Sequence, residues 1–250
     1  MVRASAGDPD RRPVATLGIA ALCAAVFAVE LMMGLKRGAG LPLLGGGHPA
    51  DMLRAGALIG SLEPALAEPF RLLSAVFVHF GLLHFGMNMW VFVSHGKIVE
   101  RVLGSARLLT GFVLTGALSF VASVAWAEIL GGRGALTAGA SGAVLGTMGL
   151  LCGVMARRKD PVYKRLLGEI LVYTLVFGFA VNASGSGVMI NNAAHIGGLA
   201  AGFVLGLAWG RRDLPPEGTL AKGLAVACIV ASLASLVLAQ LSPLASLVER

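Results

Sequence analysis

Seven stretches of this 250-residue chain are apolar over most of a bilayer's thickness, and that constrains the fold more than any motif does. They run over residues 14–33, 82–99, 106–129, 141–155, 166–181, 192–209 and 220–241. A helix crossing the hydrocarbon of a membrane needs about 20 mostly apolar residues. The reading is therefore an all-α polytopic membrane protein. Six helices form a core over residues 14–210. A polar tail precedes it at 1–13, and a linker with one further C-terminal transmembrane helix follows at 211–250. The fourth stretch is the shortest, which fits a helix that starts below the membrane surface under a water-accessible hollow. Composition agrees: 56% of residues are hydrophobic and 13% charged, against about 25% charged in a soluble domain. The 35 glycines suit helices that pack closely through small residues.

The net charge of +7 does not point to nucleic acid, because the cations sit in short loops between spans. Sorting them by an alternating topology puts Lys36, Arg37, Arg54, Arg71, Arg133 and Arg250 on one side and the other fourteen Lys and Arg on the opposite side. The richer side is the cytoplasmic one. The N-terminus is then inside, the C-terminus outside, and the chain is a multi-pass protein of a cell (inner) membrane. The first apolar run is too long for a cleaved signal peptide, and nothing resembles a transit peptide. Cys23, Cys152 and Cys228 all lie in apolar stretches, without a CxxC or a pairing pattern, and read as small packing residues. The long first outer loop, 34–78, holds a weakly amphipathic segment at 52–59, expected at the membrane interface. The Gly-, Ser- and Asn-rich loop 182–191 is expected to be mobile.

Two polar residues stand where polar groups are costly. Ser141 lies in Gly139-Ala140-Ser141-Gly142 at the start of the fourth stretch. A lone serine in a membrane helix is ordinarily structural, bonded back to its own helix. The flanking glycines change that balance by allowing a tight turn and close approach of another chain. A serine in a first helical turn also has free backbone N–H groups beside it, able to stabilise an oxyanion. His195 lies in Ala194-His195-Ile196-Gly197-Gly198. A histidine inside a span is a functional-site candidate, with a structural hydrogen bond to a neighbouring helix as the alternative. Ala194, Gly198 and Gly202 form one small-residue face, and Gly142, Gly146, Gly149 and Gly153 offer another. Two such faces let backbones approach closely and would bring His195 to Ser141, as a nucleophile and its base.

A third constellation is His79, His84 and Asn88. His84 and Asn88 are four apart on one helix face, and both can donate to an oxyanion. His79 and His84 are about 140° apart around a helix, which argues against a metal pair. With no HExxH motif, a metalloprotease is disfavoured. None of the thirteen acidic residues flanks Ser141 or His195, so a Ser–His dyad is the simplest arrangement.

Taken in order, these residues resemble the rhomboid family of intramembrane serine proteases over about residues 68–202. His79, His84, Asn88, Gly96, Glu100, Gly104, the segment 139–142 and the segment 194–198 carry the resemblance. It implies Ser141 as nucleophile and His195 as general base, then acid. His84, Asn88 and the Ser141 backbone N–H would form the oxyanion hole. His79 would be a structural or water-handling residue near the cavity mouth, and Glu100 and Arg101 structural. The fifth span and the loop after it would gate entry of single-span transmembrane substrates from the lipid bilayer. No cofactor or metal is implied. Two positions depart from the family: Glu68-Pro69-Phe70-Arg71 stands where a Trp-Arg pair is frequent, and Leu145 where some bacterial relatives carry a tyrosine that stacks on the histidine. The competing readings are an inactive relative that binds membrane clients, which would usually lack the serine or histidine, and a channel or transporter, for which inverted repeats or midplane charges are expected.

Overall fold

The structure is a computed structural model. It describes residues 12–43, 47–131, 134–184, 189–211, 215–244 and 246. Most of the tail expected at 1–13 and the centre of the loop 182–191 lie outside the described residues.

All seven apolar stretches are helical. The long helices are α1 (Val14–Lys36), α5 (Leu82–Leu103), α6 (Ser105–Ile129), α7 (Ser141–Arg157), α8 (Val162–Ala183), α9 (Asn192–Trp209) and α10 (Thr219–Leu241). Between α1 and α5 lie three short helices, α2 (Pro49–Ala55), α3 (Leu62–Ala67) and α4 (Arg71–Ser74). Helices α1, α6, α8, α9 and α10 are long and apolar enough to cross a membrane. Helix α7 is shorter, at 17 residues. Helix α5 carries His84, Asn88, His95, Lys97, Glu100 and Arg101 along its length. With its apolar helices, the chain is an all-α multi-pass membrane protein.

Helix α7 is the centre of the bundle. It packs along α9 most extensively and also touches α5, α6 and α8. Most of its residues are buried, so little of it faces lipid. Helix α8 is the reverse: Ile170 and Gly178 alone are buried among its residues. Its apolar side chains point outward, as a lipid-facing helix requires.

The small-residue faces account for the α7–α9 contact. A Cβ on Gly198 would meet the Gly142 carbonyl, one on Gly202 the Gly146 carbonyl, and one on Gly206 the Leu150 carbonyl. The two backbones are in direct contact along three turns, which any side chain there would prevent.

The far end of the bundle is closed by Glu100, which is 1% exposed. Its carboxylate accepts from the Ala15 and Thr16 N–H groups, each at 2.9 Å, and from the Thr16 and Ser105 hydroxyls, each at 2.7 Å. The first N–H groups of a helix lack partners within it. An anion there satisfies them and matches the helix dipole.

The segment expected at the membrane interface is instead inside the protein. Met52, Leu53, Ala55, Ala57 and Leu58 are buried, with α2 packed on α1 and α10. Leu58–Ile59 forms β1, which pairs antiparallel with β2, Leu136–Thr137, in the register Leu58↔Thr137 and Ile59↔Leu136. The physical reason is Arg71, counted above among the outer cations. It is 1% exposed and donates from Nη1 to the carbonyls of Leu53 at 2.6 Å and Ala57 at 2.8 Å. Its Nε donates to Glu68. The cation draws the loop's backbone inward, where lipid would leave those carbonyls without partners.

Candidate active site

Ser141 is the first residue of α7 and follows a turn that only glycine can make. Gly139 has φ +133°, a region closed to L side chains, and its N–H donates to the Ala75 carbonyl at 2.9 Å. The turn delivers Ser141 to the helix start with its hydroxyl clear of the α7 axis. Among the described residues, the N–H groups of Ser141, Gly142 and Ala143 make no backbone hydrogen bond; the first one does so at Val144, to Ala140. These free donors surround the serine.

His195 sits in the first turn of α9. Its Nε2 is 2.8 Å from Ser141 Oγ. Both residues are partly buried, so the pair is sheltered but open to a reactant. The contact joins side chains 54 positions apart, and the glycine-lined α7–α9 crossing makes it geometrically accessible. When the imidazole is neutral with its proton on Nδ1, Nε2 accepts the serine hydroxyl proton.

The placement of His195 depends on a residue that the sequence reading did not single out. Asn191 caps α9, its side-chain oxygen accepting the Ala194 N–H at 3.0 Å and its backbone carbonyl accepting the His195 N–H at 3.1 Å. Its amide nitrogen donates to Ser123 Oγ of α6 at 2.6 Å and to Thr137 Oγ1 of β2 at 3.1 Å. One side chain therefore ties the His195 helix to α6 and to the strand that leads into Ser141. The available signal was an Asn just ahead of an apolar helical run, the ordinary N-cap pattern. Beside it, Asn182 and the Ile190 backbone exchange two hydrogen bonds, at 2.6 and 3.0 Å, which joins the end of α8 to the start of α9.

His84, in the first turn of α5, reaches the same place. A Cβ built on Gly139 would lie 2.7 Å from His84 Cε1, 2.9 Å from its Nε2 and 3.7 Å from Ser141 Oγ. The imidazole thus lies against the glycine turn, beside the serine. Its Nδ1 accepts the Phe80 N–H at 3.2 Å, so the neutral ring carries its proton on Nε2, the nitrogen facing Gly139. Phe80 stacks on the ring at an interplanar angle of 7° and holds its plane.

Asn88 is buried one turn further along α5 and donates from Nδ2 to the His84 carbonyl at 2.9 Å. One of its two amide protons is used within α5. His79 lines a small cavity beside Glu30 and Gly81. It is 1% exposed, with Nδ1 3.1 Å from the Phe77 carbonyl, and its ring backs edge-on against His84 at 5.2 Å between centroids. Its N–H faces the Glu30 carboxylate at 3.2 and 3.3 Å. Leu145 belongs to an apolar cluster with Leu166, Leu167, Leu171 and Leu199, so this position packs α7 against α8 and α9. Among the described residues, no group of three His, Cys, Asp or Glu side chains is placed to hold a metal ion.

Comparison with known proteins follows this core. The family model for the rhomboid domain matches residues 66–212, which contain every long helix except α1 and α10. The rhomboid protease GluP of Bacillus subtilis (strain 168) is 35% identical over 200 residues, covering 78% of this chain and 36% of that protein. RHOMBOID-like protein 6, mitochondrial, of Arabidopsis thaliana is 34% identical over 140 residues, 56% of this chain and 43% of that one. The rhomboid protease GlpG of Serratia proteamaculans (strain 568) is 29% identical over 190 residues, 76% and 60% of the two chains. The chain spans less than half the length of the first two relatives. A match that takes in the turn at Ser141, the helix of His195 and the crossing that joins them shows that this chain belongs to the rhomboid family.

Proposed function

We propose that this protein is an intramembrane serine endopeptidase that cleaves single-span transmembrane proteins through a Ser141–His195 dyad. The observation that carries this reading is the 2.8 Å contact between Ser141 Oγ and His195 Nε2 at the N-terminal ends of two tightly crossed helices. The protease names of several relatives support the reaction class.

In this mechanism His195 takes the hydroxyl proton as Ser141 Oγ attacks the scissile carbonyl. An intact substrate helix hides its peptide bonds, so the segment unwinds locally before attack. The tetrahedral oxyanion is met by the His84 Nε2–H, by the second amide proton of Asn88 and by the free N–H groups at the start of α7. His195 then returns its proton to the leaving amine, and the C–N bond breaks. Water adds to the acyl-enzyme, with His195 again as base, and releases Ser141. No step requires a cofactor. Substrate enters past α8, the long helix with fewest buried residues among those described. The charge distribution supports a cytoplasmic N-terminus and an external C-terminus, with the dyad opening toward the outer face of a cell membrane.

The deciding experiment reconstitutes the full chain with a model single-span substrate and compares wild type with Ser141→Ala and His195→Ala. Cleavage by wild type and its loss in both variants is expected. Equal cleavage by either variant would overturn the dyad. A folded wild type that binds the substrate without cleaving it would indicate a client-binding relative instead.

A further inference from the structure

Glu68 is where the last helix of the chain meets the loop that leads to the site. One carboxylate oxygen accepts from Arg71 Nε. The other accepts from the Ser242 hydroxyl at 2.5 Å. Ser242 terminates α10, and its oxygen also accepts the Leu244 N–H at 3.1 Å. A serine hydroxyl has a single proton, and Ser242 directs it to Glu68.

From Glu68 the contacts continue without a break. Arg71 holds the carbonyls of Leu53 and Ala57, and the Ser74 hydroxyl holds that of Gly56 at 2.8 Å. Ala57 leads directly into β1, whose Leu58 pairs with Thr137. Thr137 is four residues before Ser141, and between them Gly139 is bonded to Ala75, the residue that ends α4. A two-residue strand pair has little stability of its own. Its position is set by what grips the loop behind it, and the grip is a buried guanidinium whose planar fork takes its orientation from Glu68.

We propose that Ser242 and Glu68 are positioning residues for the reaction: the end of α10 acts through Glu68 and Arg71 to hold the Ser141 turn in its reactive geometry. This rests on Ser141 being the nucleophile. It gives α10 a role in a site that it does not touch.

The test uses the full chain in detergent and follows covalent labelling of Ser141 by a fluorophosphonate. That rate reads the reactivity of the serine without substrate docking. Ser242→Ala and Glu68→Gln should each slow labelling by about three- to thirtyfold. The double variant should be no slower than the worse single one, because both changes cut the same link. Ser242→Thr, which keeps the hydroxyl, should restore the wild-type rate, and thermal unfolding of Ser242→Ala should stay close to that of wild type. Labelling of Ser242→Ala at the wild-type rate would overturn the proposal. So would multiplicative effects in the double variant, failure of the Thr variant to restore the rate, or a loss of labelling that merely follows the unfolded fraction. Ser141→Ala is the separate control: labelling that survives in it refutes the nucleophile assignment itself, whatever Ser242 does.

Discussion

The carbonyl oxygen of Gly142 occupies the space into which a side chain on Gly198 would project. The residues before and after this contact include the two that meet across it: Ser141 precedes Gly142, and His195 lies one turn before Gly198. The spacing of the two backbones therefore sets the 2.8 Å distance between Ser141 Oγ and His195 Nε2. Gly198→Ala should push α9 away from α7 at this level. A destabilisation of about 1–3 kcal/mol is expected from the added methyl, together with loss of serine labelling in the molecules that remain folded. Thermal unfolding and fluorophosphonate labelling, measured on the same sample, separate the two effects.

Gly139→Ala tests the turn ahead of the serine. The new methyl would need φ +133° and would lie on the His84 ring. Backbone strain of this kind costs about 1–3 kcal/mol. Cleavage should fall further than labelling, because the displaced His84 no longer meets the oxyanion. Retention of full cleavage activity would show that His84 is not held in place by this turn.

His84→Ala removes a donor while leaving the dyad intact. Loss of one oxyanion donor typically lowers kcat by about 10²–10³, with KM little changed. Asn88→Ala should cost less, since one of its amide protons is already spent on the His84 carbonyl. Steady-state cleavage of a model substrate by both variants gives the comparison, and a larger defect at Asn88 would reverse the assignment of the principal donor.

Asn191→Ala should affect His195 while keeping the backbone carbonyl that accepts the His195 N–H. Loss of an N-cap costs about 0.5–2 kcal/mol, and Ser123 and Thr137 each lose a donor. Asn191→Asp keeps the oxygen that caps α9 and loses both amide donors. An intermediate stability and a cleavage rate closer to that of the Ala variant are expected if the ties to α6 and β2 position the helix. Rates equal to wild type in the Asp variant would assign the whole effect to the cap.

Glu100→Gln probes the opposite end. The neutral amide cannot accept all four hydrogen bonds that the carboxylate accepts. Hydrogen bonds to a charged group contribute about 1.5–3 kcal/mol each, so thermal stability should drop clearly. The labelling rate of the folded fraction should be unchanged, since this cluster lies at the other end of α5 from His84. A specific fall in that rate would mean that the two ends are coupled.

The amino-acid pattern alone located the seven helices, because the length and continuity of each apolar run answer to the thickness of a membrane. It also exposed the α7–α9 crossing, since glycines every three or four residues leave a flat helix face whatever surrounds it. Ser141 and His195 stood out for the same local reason, a polar group in an apolar stretch. Leu53 to Leu58 did not reveal their burial, because a weakly amphipathic segment suits a lipid interface or a protein interior equally. Arg71 decided that question through carbonyls 14 and 18 residues away. Asn191, Glu68 and Ser242 act through partners 54, 68 and 174 positions distant. Hydrogen bonds of that reach follow no periodicity. They exist only once the packed helices have brought the loops together, and it is they that fix the turn at Ser141 and the cap before His195.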